Sequence, residues 1–172
     1  MALEKLPLPQ PFEVLMRRHE REIMGYLLHL AGDRENAADL FQETWLRAYR
    51  AYPRLRHDAN VRAWLYAIAT NLSRNWTRDR ARRERVIVPL GEQSLQQNKS
   101  AARHRSDDGD EAYAAIRMRE LIAELPSKQR QALHLRYSAG LDYASIALAL
   151  ECSQESARAN VSQAVRKLRK NW

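Results

Sequence analysis

The residues best suited to binding chemistry lie in one stretch, 60–85, where aromatic side chains stand beside amides and lead into an arginine-rich end. Aromatic rings stack on unpaired bases, carboxamides hydrogen-bond to base edges, and guanidinium groups hold phosphates. This combination favours contact with a single nucleic-acid strand. The candidate contact residues are Trp64, Tyr66, Asn71, Arg74, Asn75, Arg78 and Arg80.

The same stretch has a simpler interpretation, a core helix with a solvated basic end. Its large apolar residues recur every three or four positions and predict one buried face, formed by Trp64, Leu65, Ile68, Leu72 and Trp76. On this pattern Trp64 belongs to the core, whereas Tyr66, Asn71, Arg74 and Asn75 project from other sides of the helix.

Composition narrows the class of protein. The 172 residues carry 29 Lys+Arg against 21 Asp+Glu, a net charge of +8, which favours a polyanionic partner. No apolar run approaches the roughly 18 residues of a membrane span, so we expect no membrane insertion. The start of the chain has no long apolar stretch of the signal-peptide type. The single cysteine, Cys152, excludes an internal disulfide, and we expect a cytoplasmic protein.

The sequence offers no catalytic constellation. The five histidines are scattered, and Cys152 has no second cysteine with which to hold zinc. The chain has neither a glycine-rich phosphate loop nor a serine-centred nucleophile motif. We therefore expect no catalytic residue, no metal site and no cofactor.

Elements that could position these residues are all helices. The pattern predicts an all-α fold of two small helical domains, 1–85 and 112–172, joined by a flexible linker at 86–111 that is polar and rich in helix breakers. In the first domain Gly32 ends one helix, Asp33 caps the next, and Asp58 or Asn60 caps the third. In the second domain Ile116 is predicted on an apolar face, and Ser127 as a helix cap.

The second domain ends in a predicted helix-turn-helix. Asp142 caps a short helix at 143–150, a turn follows at 151–153, and Ser153 caps the last helix. Such a helix can enter a major groove and pair with base edges, although short helical hairpins are common in proteins that never touch DNA. The candidate duplex-contacting residues are Gln154, Arg158, Asn160, Ser162, Gln163 and Arg166.

Four stretches in this order closely resemble the extracytoplasmic-function (ECF) sigma factors, the small two-domain class of bacterial sigma factors. Residues 36–49 resemble that family's polymerase-binding helix, and residues 61–72 its promoter-melting helix. Residues 124–137 resemble the opening of its C-terminal domain, and residues 140–147 its first helix-turn-helix helix.

The resemblance implies a different role for each of the two domains. The first would bind the β′ clamp helices of bacterial core RNA polymerase and capture one strand of the minus-ten element, with Asn71 at the position that recognises a flipped base. The second would read the minus-thirty-five element of promoter DNA near the β flap. An anti-sigma protein is a further expected partner. The polymerase-facing residues would be Asp39, Gln42, Glu43, Leu46, Arg47 and Arg50, which a solvated helix face would explain equally well.

The chain departs from the family pattern in the helix-turn-helix. Glu151 occupies a turn position that usually holds glycine because its φ is often positive, and a non-glycine residue there costs on the order of 1 kcal/mol. Asn160 and Gln163 stand where basic residues are usual, which reduces phosphate contacts. Two alternatives to a sigma factor therefore remain, an ordinary helix-turn-helix regulator and a sigma mimic that binds only an anti-sigma protein.

Overall fold

The structure, a computed structural model, describes residues 10–56, 58–86 and 109–172. The described residues form helices and connecting turns without a strand, and the chain divides into two compact units. The predicted all-α architecture of two helical units is therefore confirmed. The greater part of the predicted linker, residues 87–108, lies outside the described residues.

The N-terminal unit consists of α1 (Phe12–Ala31), α2 (Arg34–Ala51) and α3 (Val61–Val86), with a 3-10 turn at Tyr52–Arg54 between α2 and α3. Its buried apolar side chains come from all three helices and include Leu15, Ile23, Leu27, Trp45 and Leu65. This shared core fixes the position of α3, which carries the candidate strand-contacting residues.

Predicted helix ends in this unit are confirmed. Gly32 ends α1 in the left-handed conformation, with φ 80°. The Asp33 side chain caps α2 by accepting a hydrogen bond from the Asn36 amide at 2.8 Å. Of the two candidate caps for α3, Asn60 accepts from the Ala63 amide at 3.0 Å.

The C-terminal unit consists of α4 (Gly109–Ala123), α5 (Ser127–Tyr137), α6 (Tyr143–Leu150) and α7 (Gln154–Asn171). The predicted helix-turn-helix is confirmed, because α6 and α7 are joined by the turn 151–153 and are capped by Asp142 and Ser153. Glu151 has φ 51° and ψ 53°, so the predicted left-handed conformation at this non-glycine residue is also confirmed. Leu125, Leu133 and Ala164 form a buried cluster that joins α7 to α5.

Two predictions in this unit are wrong. Ile116 is 51% exposed, because α4 contacts the rest of the unit mainly through its C-terminal end. Ser127 is the first residue of α5 rather than its cap, a position that Pro126 takes with extended backbone. The Ser127 hydroxyl instead accepts a hydrogen bond from Gln131 at 3.3 Å.

Candidate functional sites

The buried face of α3 differs from the predicted one. Leu65 and Leu72 are buried as expected, but the neighbouring buried positions are Tyr66, Ala69 and Thr70. Small side chains at two of these positions let the backbone of α3 approach its neighbours closely. Trp64, by contrast, is only half-buried.

Tyr66 therefore does not project from the core. It is 1% exposed, its ring lies edge-on to Tyr26 with 5.1 Å between centroids, and its hydroxyl donates to Glu22 at 3.2 Å. Such a ring has no free face on which a base could stack. The sequence pattern missed this because the partner that accommodates the hydroxyl is far away in the chain.

Glu22 of α1 is the centre of a polar cluster that holds the beginning of α3. Its carboxylate accepts three hydrogen bonds from the Arg62 guanidinium, at 3.1, 2.9 and 2.5 Å, and contacts His19 as well as Tyr66. Burial opposes ionisation of Glu22, but hydrogen bonds from His19 and Arg62 and the charge of Arg62 outweigh it and lower its pKa to about 2. The cluster thus fixes the rotation of α3 about its axis.

A second polar contact supports the same arrangement. The buried hydroxyls of Tyr26 and Thr70 are 2.8 Å apart, which joins the middle of α3 to α1. Burial raises the pKa of the Tyr26 phenol well above its usual range, so the hydroxyl keeps its proton. Both contacts fix the helix immediately before Asn71.

Four of the candidate strand-contacting residues share one stripe of α3. At 100° per residue, Trp64, Asn71, Asn75 and Arg78 fall on the side opposite the buried face. Asn75 and Arg78 are exposed, and the Arg78 guanidinium donates to the Asn75 amide oxygen at 2.6 Å. The structure therefore brings an indole, two amides and a guanidinium onto a common surface.

The remaining two arginines lie elsewhere. Arg74 is half-buried at the edge of the stripe. Arg80 is exposed, but helical periodicity turns it towards the opposite side, and its guanidinium lies 5.6 Å from the centre of the Trp76 ring. Arg80 is thus positioned to extend the positive charge of the helix but not to share a base-contacting stripe.

The polymerase-facing candidates all lie on the solvent side of α2. Leu46 is 43% exposed, and the Arg47 guanidinium donates to the Glu43 carboxylate at 2.7 Å. Tyr49, which the sequence pattern did not single out, is 59% exposed one turn from Leu46. The surface thus presents two apolar side chains among charged and polar groups, namely Asp39, Gln42, Glu43, Arg47 and Arg50.

On α7 the six predicted duplex-contacting residues separate into two groups. Gln154, Arg158, Ser162 and Arg166 are exposed and line a shallow groove that continues along the helix. Asn160 and Gln163 lie on the opposite flank, towards α5.

The amides of the second group are already engaged within the protein. Asn160 is half-buried, and its amide nitrogen donates to the Ser156 carbonyl of its own helix at 2.8 Å. A helical carbonyl can accept a second hydrogen bond from a side chain four residues later, in addition to its backbone bond. Gln163 is exposed, but its amide oxygen accepts from Gln129 at 2.8 Å.

Sequence reasoning missed the residue that contacts Arg158. The Tyr143 ring, at the start of α6, has the guanidinium of Arg158 at 5.1 Å from its centre and that of Arg136 at 4.8 Å. Arg136 comes from α5, so no local spacing in the sequence could have revealed this contact.

Comparison with protein families decides the identity of the chain. The model for sigma-70 region 2 matches residues 15–83, and the model for sigma-70 region 4 matches residues 115–168. Among curated relatives, the RNA polymerase sigma-H factor of Pseudomonas aeruginosa is 30% identical, with 89% of this chain and 81% of the relative aligned. The chain belongs to the ECF sigma factor family. Another member, SigC of Mycobacterium tuberculosis, is 30% identical over 88% of this sigma factor and 78% of its own length.

Solved structures show the same fold. The sigma factor RpoE of Bartonella quintana, in complex with the anti-sigma factor NepR, superimposes with a TM-score of 0.73 at 21% identity, with 93% and 95% of the two chains covered. CnrH, in complex with the cytosolic domain of CnrY, gives a TM-score of 0.64 at 18% identity, with 92% and 85% covered. In the described part of this sigma factor, no helix is long and apolar enough to cross a membrane. The same residues contain no group of three side chains suited to a metal ion.

The family defines what the protein does. It is an alternative sigma factor, which directs RNA polymerase to promoters and enables transcription initiation. Sigma factors do this as non-enzymatic initiation factors.

Proposed function

We propose that the two units of this sigma factor divide promoter recognition between them. Residues 1–85 would bind core polymerase and capture the minus-ten strand, residues 112–172 would read the minus-thirty-five duplex, and residues 86–111 would connect them. The observation that carries the proposal is the order of the two family regions, at 15–83 and 115–168, in a single chain.

On α3, Asn71 would read a base that leaves the duplex when the promoter opens. A carboxamide has both a donor and an acceptor, so it can pair with the edge of an unpaired base. Trp64 lies on the same stripe and offers a ring for stacking, while Arg78 would hold a neighbouring phosphate. Capture of the flipped base stabilises the open state relative to the closed duplex.

The exposed face of α2 would bind the β′ clamp helices. Leu46 is surrounded by charged groups, an arrangement typical of an interface with an apolar centre and a polar rim. The neighbouring exposed Tyr49 enlarges the apolar part of the surface, and we include it in the proposed interface.

Duplex reading would depend on the exposed flank of α7. Arg158 lies near the N-terminal end of the helix, where residues reach base edges in helix-turn-helix proteins. Gln154, Ser162 and Arg166 would add contacts along the groove. Since Asn160 bonds to its own helix and Gln163 to Gln129, we assign these two a supporting role.

In vitro transcription with bacterial core polymerase tests the whole proposal. A sigma factor initiates transcription when it is the only specificity factor added. A helix-turn-helix regulator acts only when another sigma factor is present, and a sigma mimic does not initiate in either case. Initiation that requires a second sigma factor would contradict our proposal.

The role of Asn71 is tested on duplex templates and on templates pre-melted across the minus-ten element. Loss of a base contact typically costs about 1–3 kcal/mol. Asn71→Ala should therefore reduce permanganate reactivity of unpaired thymines on the duplex, and it should relax base preference on the pre-melted template. Thr77→Ala, on the same helix, is the matched control. Unchanged opening and base preference would show that Asn71 is only a surface residue.

The double substitution Glu43→Lys, Leu46→Ala tests the α2 interface. It should weaken binding to core polymerase in a fluorescence titration while helical content stays constant by circular dichroism. Glu20→Lys, an exposed charge reversal on α1, is the control and should bind normally. Equal affinity of both variants would exclude this face as the interface.

We also propose that an anti-sigma protein regulates this sigma factor in the cytoplasm, where the polymerase acts. The solved RpoE–NepR and CnrH–CnrY complexes contain sigma factors bound by such proteins, which supports the expectation. A cognate anti-sigma protein should abolish transcription when it is added before core polymerase, and excess core should restore it. Inhibition that excess core does not relieve would contradict competition for the sigma factor.

A further inference from the structure

Arg158 is held by an aromatic side chain and not by a carboxylate. Glu155 lies three residues earlier on α7, a spacing at which exposed ion pairs form readily. Nevertheless the Arg158 guanidinium lies 5.1 Å from the centre of the Tyr143 ring, and no ion pair of the described residues includes it. Arg158 thus has an aromatic ring, and not a carboxylate, as the neighbour of its guanidinium.

The Tyr143 ring is itself well anchored. Tyr143 begins α6 directly after Asp142, whose carboxylate caps the helix by accepting from the Ser145 amide at 2.8 Å. The guanidinium of Arg136 also lies against this ring, 4.8 Å from its centre, and donates a hydrogen bond to the Leu141 carbonyl at 2.9 Å. The ring is therefore fixed by the end of α5 and the start of α6.

The two arginines beside this ring differ in their surroundings. Arg136 is half-buried and lies close to the negative charge of Asp142. The pKa of the Asp142 carboxyl is lowered mainly by hydrogen bonds from Ser145, and the charge of Arg136 lowers it further. Arg158 is exposed and borders the groove along α7. The charge of Arg136 is thus partly balanced within the protein, whereas that of Arg158 is available to a polyanion.

We propose that Tyr143 is a positioning residue, which holds the Arg158 guanidinium in the orientation that duplex DNA requires without contacting the DNA itself. This inference rests on the proposed reading of the minus-thirty-five duplex by α7. A free arginine loses considerable side-chain entropy when it is immobilised on a base, and stacking on a fixed ring removes part of that loss before DNA arrives. Without the ring, Glu155 would compete for the guanidinium.

A double-mutant cycle measures whether Tyr143 acts through Arg158. The probe is the duplex that wild-type holoenzyme selects from a randomised library spanning the minus-thirty-five region. Cation–π contacts of this kind correspond to about a three- to tenfold change in affinity. Tyr143→Leu should weaken binding by this factor, and the same change should have no further effect in an Arg158→Ala background. In an Arg166→Ala background the full effect should persist, which provides the matched control.

Two further measurements separate positioning from contact and from folding. Tyr143→Phe keeps the ring and should bind as wild type, so a loss with Phe would show that the hydroxyl touches DNA and would overturn the inference. In the free full chain, the Arg158 Nε–H should be more ordered by NMR relaxation than in Tyr143→Leu, whereas the amide spectrum of α7 should be retained.

The outcomes distinguish this inference from the proposed function. If wild-type holoenzyme selects no duplex, the assignment of α7 to duplex reading fails. If it selects one but the effects of Tyr143→Leu and Arg158→Ala simply add, or Arg158 is equally mobile in both proteins, duplex reading stands and the positioning role of Tyr143 is wrong.

Discussion

The two helices assigned to DNA are held in place by different kinds of contact. α3 depends on polar partners that are distant in sequence, since Glu22 and Arg62 are 40 residues apart. α7 begins with a local cap, in which the Ser153 hydroxyl accepts from the Ser156 amide at 3.1 Å. The orientation of α3 therefore depends on the ionisation of a carboxylate, whereas that of α7 depends on a local cap, apolar packing and an uncharged hydrogen bond between Gln129 and Gln163. Substitutions that remove one kind of contact should affect one unit and spare the other.

Removal of the Glu22 carboxylate should have the largest effect. Glu22→Ala removes the carboxylate that Arg62 and the buried Tyr66 hydroxyl share, so we expect the N-terminal unit to lose about 2–4 kcal/mol of unfolding free energy. NMR-detected urea unfolding of the full chain would resolve the two units. Asp79→Ala removes an exposed pair with Arg82 on the same helix and should change stability by less than about 0.5 kcal/mol. Equal behaviour of the two variants would show that the Glu22 cluster does not support α3.

Acid should distinguish the units in the same way. The pKa of Glu22 is about 2 in the folded protein against an ordinary 4.5, so ionised Glu22 stabilises the N-terminal unit fully above about pH 5. That stabilisation, about 3 kcal/mol, should be lost as the pH falls from 4.5 towards 2.

Unfolding free energies measured between pH 6 and 3 check this expectation. Glu22→Gln should flatten the pH dependence of the N-terminal unit and leave that of the C-terminal unit unchanged. If the N-terminal unit of Glu22→Gln keeps the wild-type slope, another carboxylate is responsible for it.

Loss of a local cap should have a smaller effect, confined to the C-terminal unit. Asp142→Ala removes the acceptor for the Ser145 amide and should lower the thermal stability of this unit modestly. Ser138→Ala, at an exposed position after α5, should be close to neutral by thermal unfolding. Destabilisation of the N-terminal unit by Asp142→Ala would contradict the separation of the two kinds of contact.

The smallest expected effect is an increase in stability. Glu151 has φ 51°, where glycine is preferred, so Glu151→Gly should stabilise the helix-turn-helix by about 0.5–1 kcal/mol. The reverse change, Gly140→Ala, places a side chain at φ 66°, where nothing lies within 4 Å of the added Cβ, and should destabilise by a similar amount through the backbone alone. Thermal unfolding measures the change in stability that each variant causes, and changes of the same sign would exclude backbone strain as the cause.

The sequence was sufficient to predict most of the helix ends, with the cap of α5 as the exception. Gly32, Asp33, Asp142 and Ser153 each stand next to the helix end that they fix, so residue type and spacing alone identified them. The left-handed conformation of Glu151 was expected from the resemblance, because the family usually has glycine at this place in the turn.

Contacts between distant residues could not be predicted in the same way. Tyr66 was expected at the surface because it falls outside the apolar stripe, and its hydroxyl partner, Glu22, is 44 residues away. Trp64 was assigned to the core because it falls on that stripe, but it is only half-buried and lies on the same side of the helix as Asn71. The bond from the Asn160 amide to Ser156 is local, but it was not predicted because it leaves no mark in the pattern of apolar residues.

The length of α3 has a consequence for how quickly the protein finds its partner. Beyond Trp76 the helix is exposed at every residue from 77 to 83, which corresponds to about 10 Å of exposed helix. This segment carries Arg78, Arg80, Arg82 and Arg83. A cationic rod of this length attracts a polyanion before any specific contact forms, so it should accelerate encounters with DNA. Because dissolved ions screen such attraction beyond about 8 Å at physiological ionic strength, added salt should slow association much more than it shortens the lifetime of the complex.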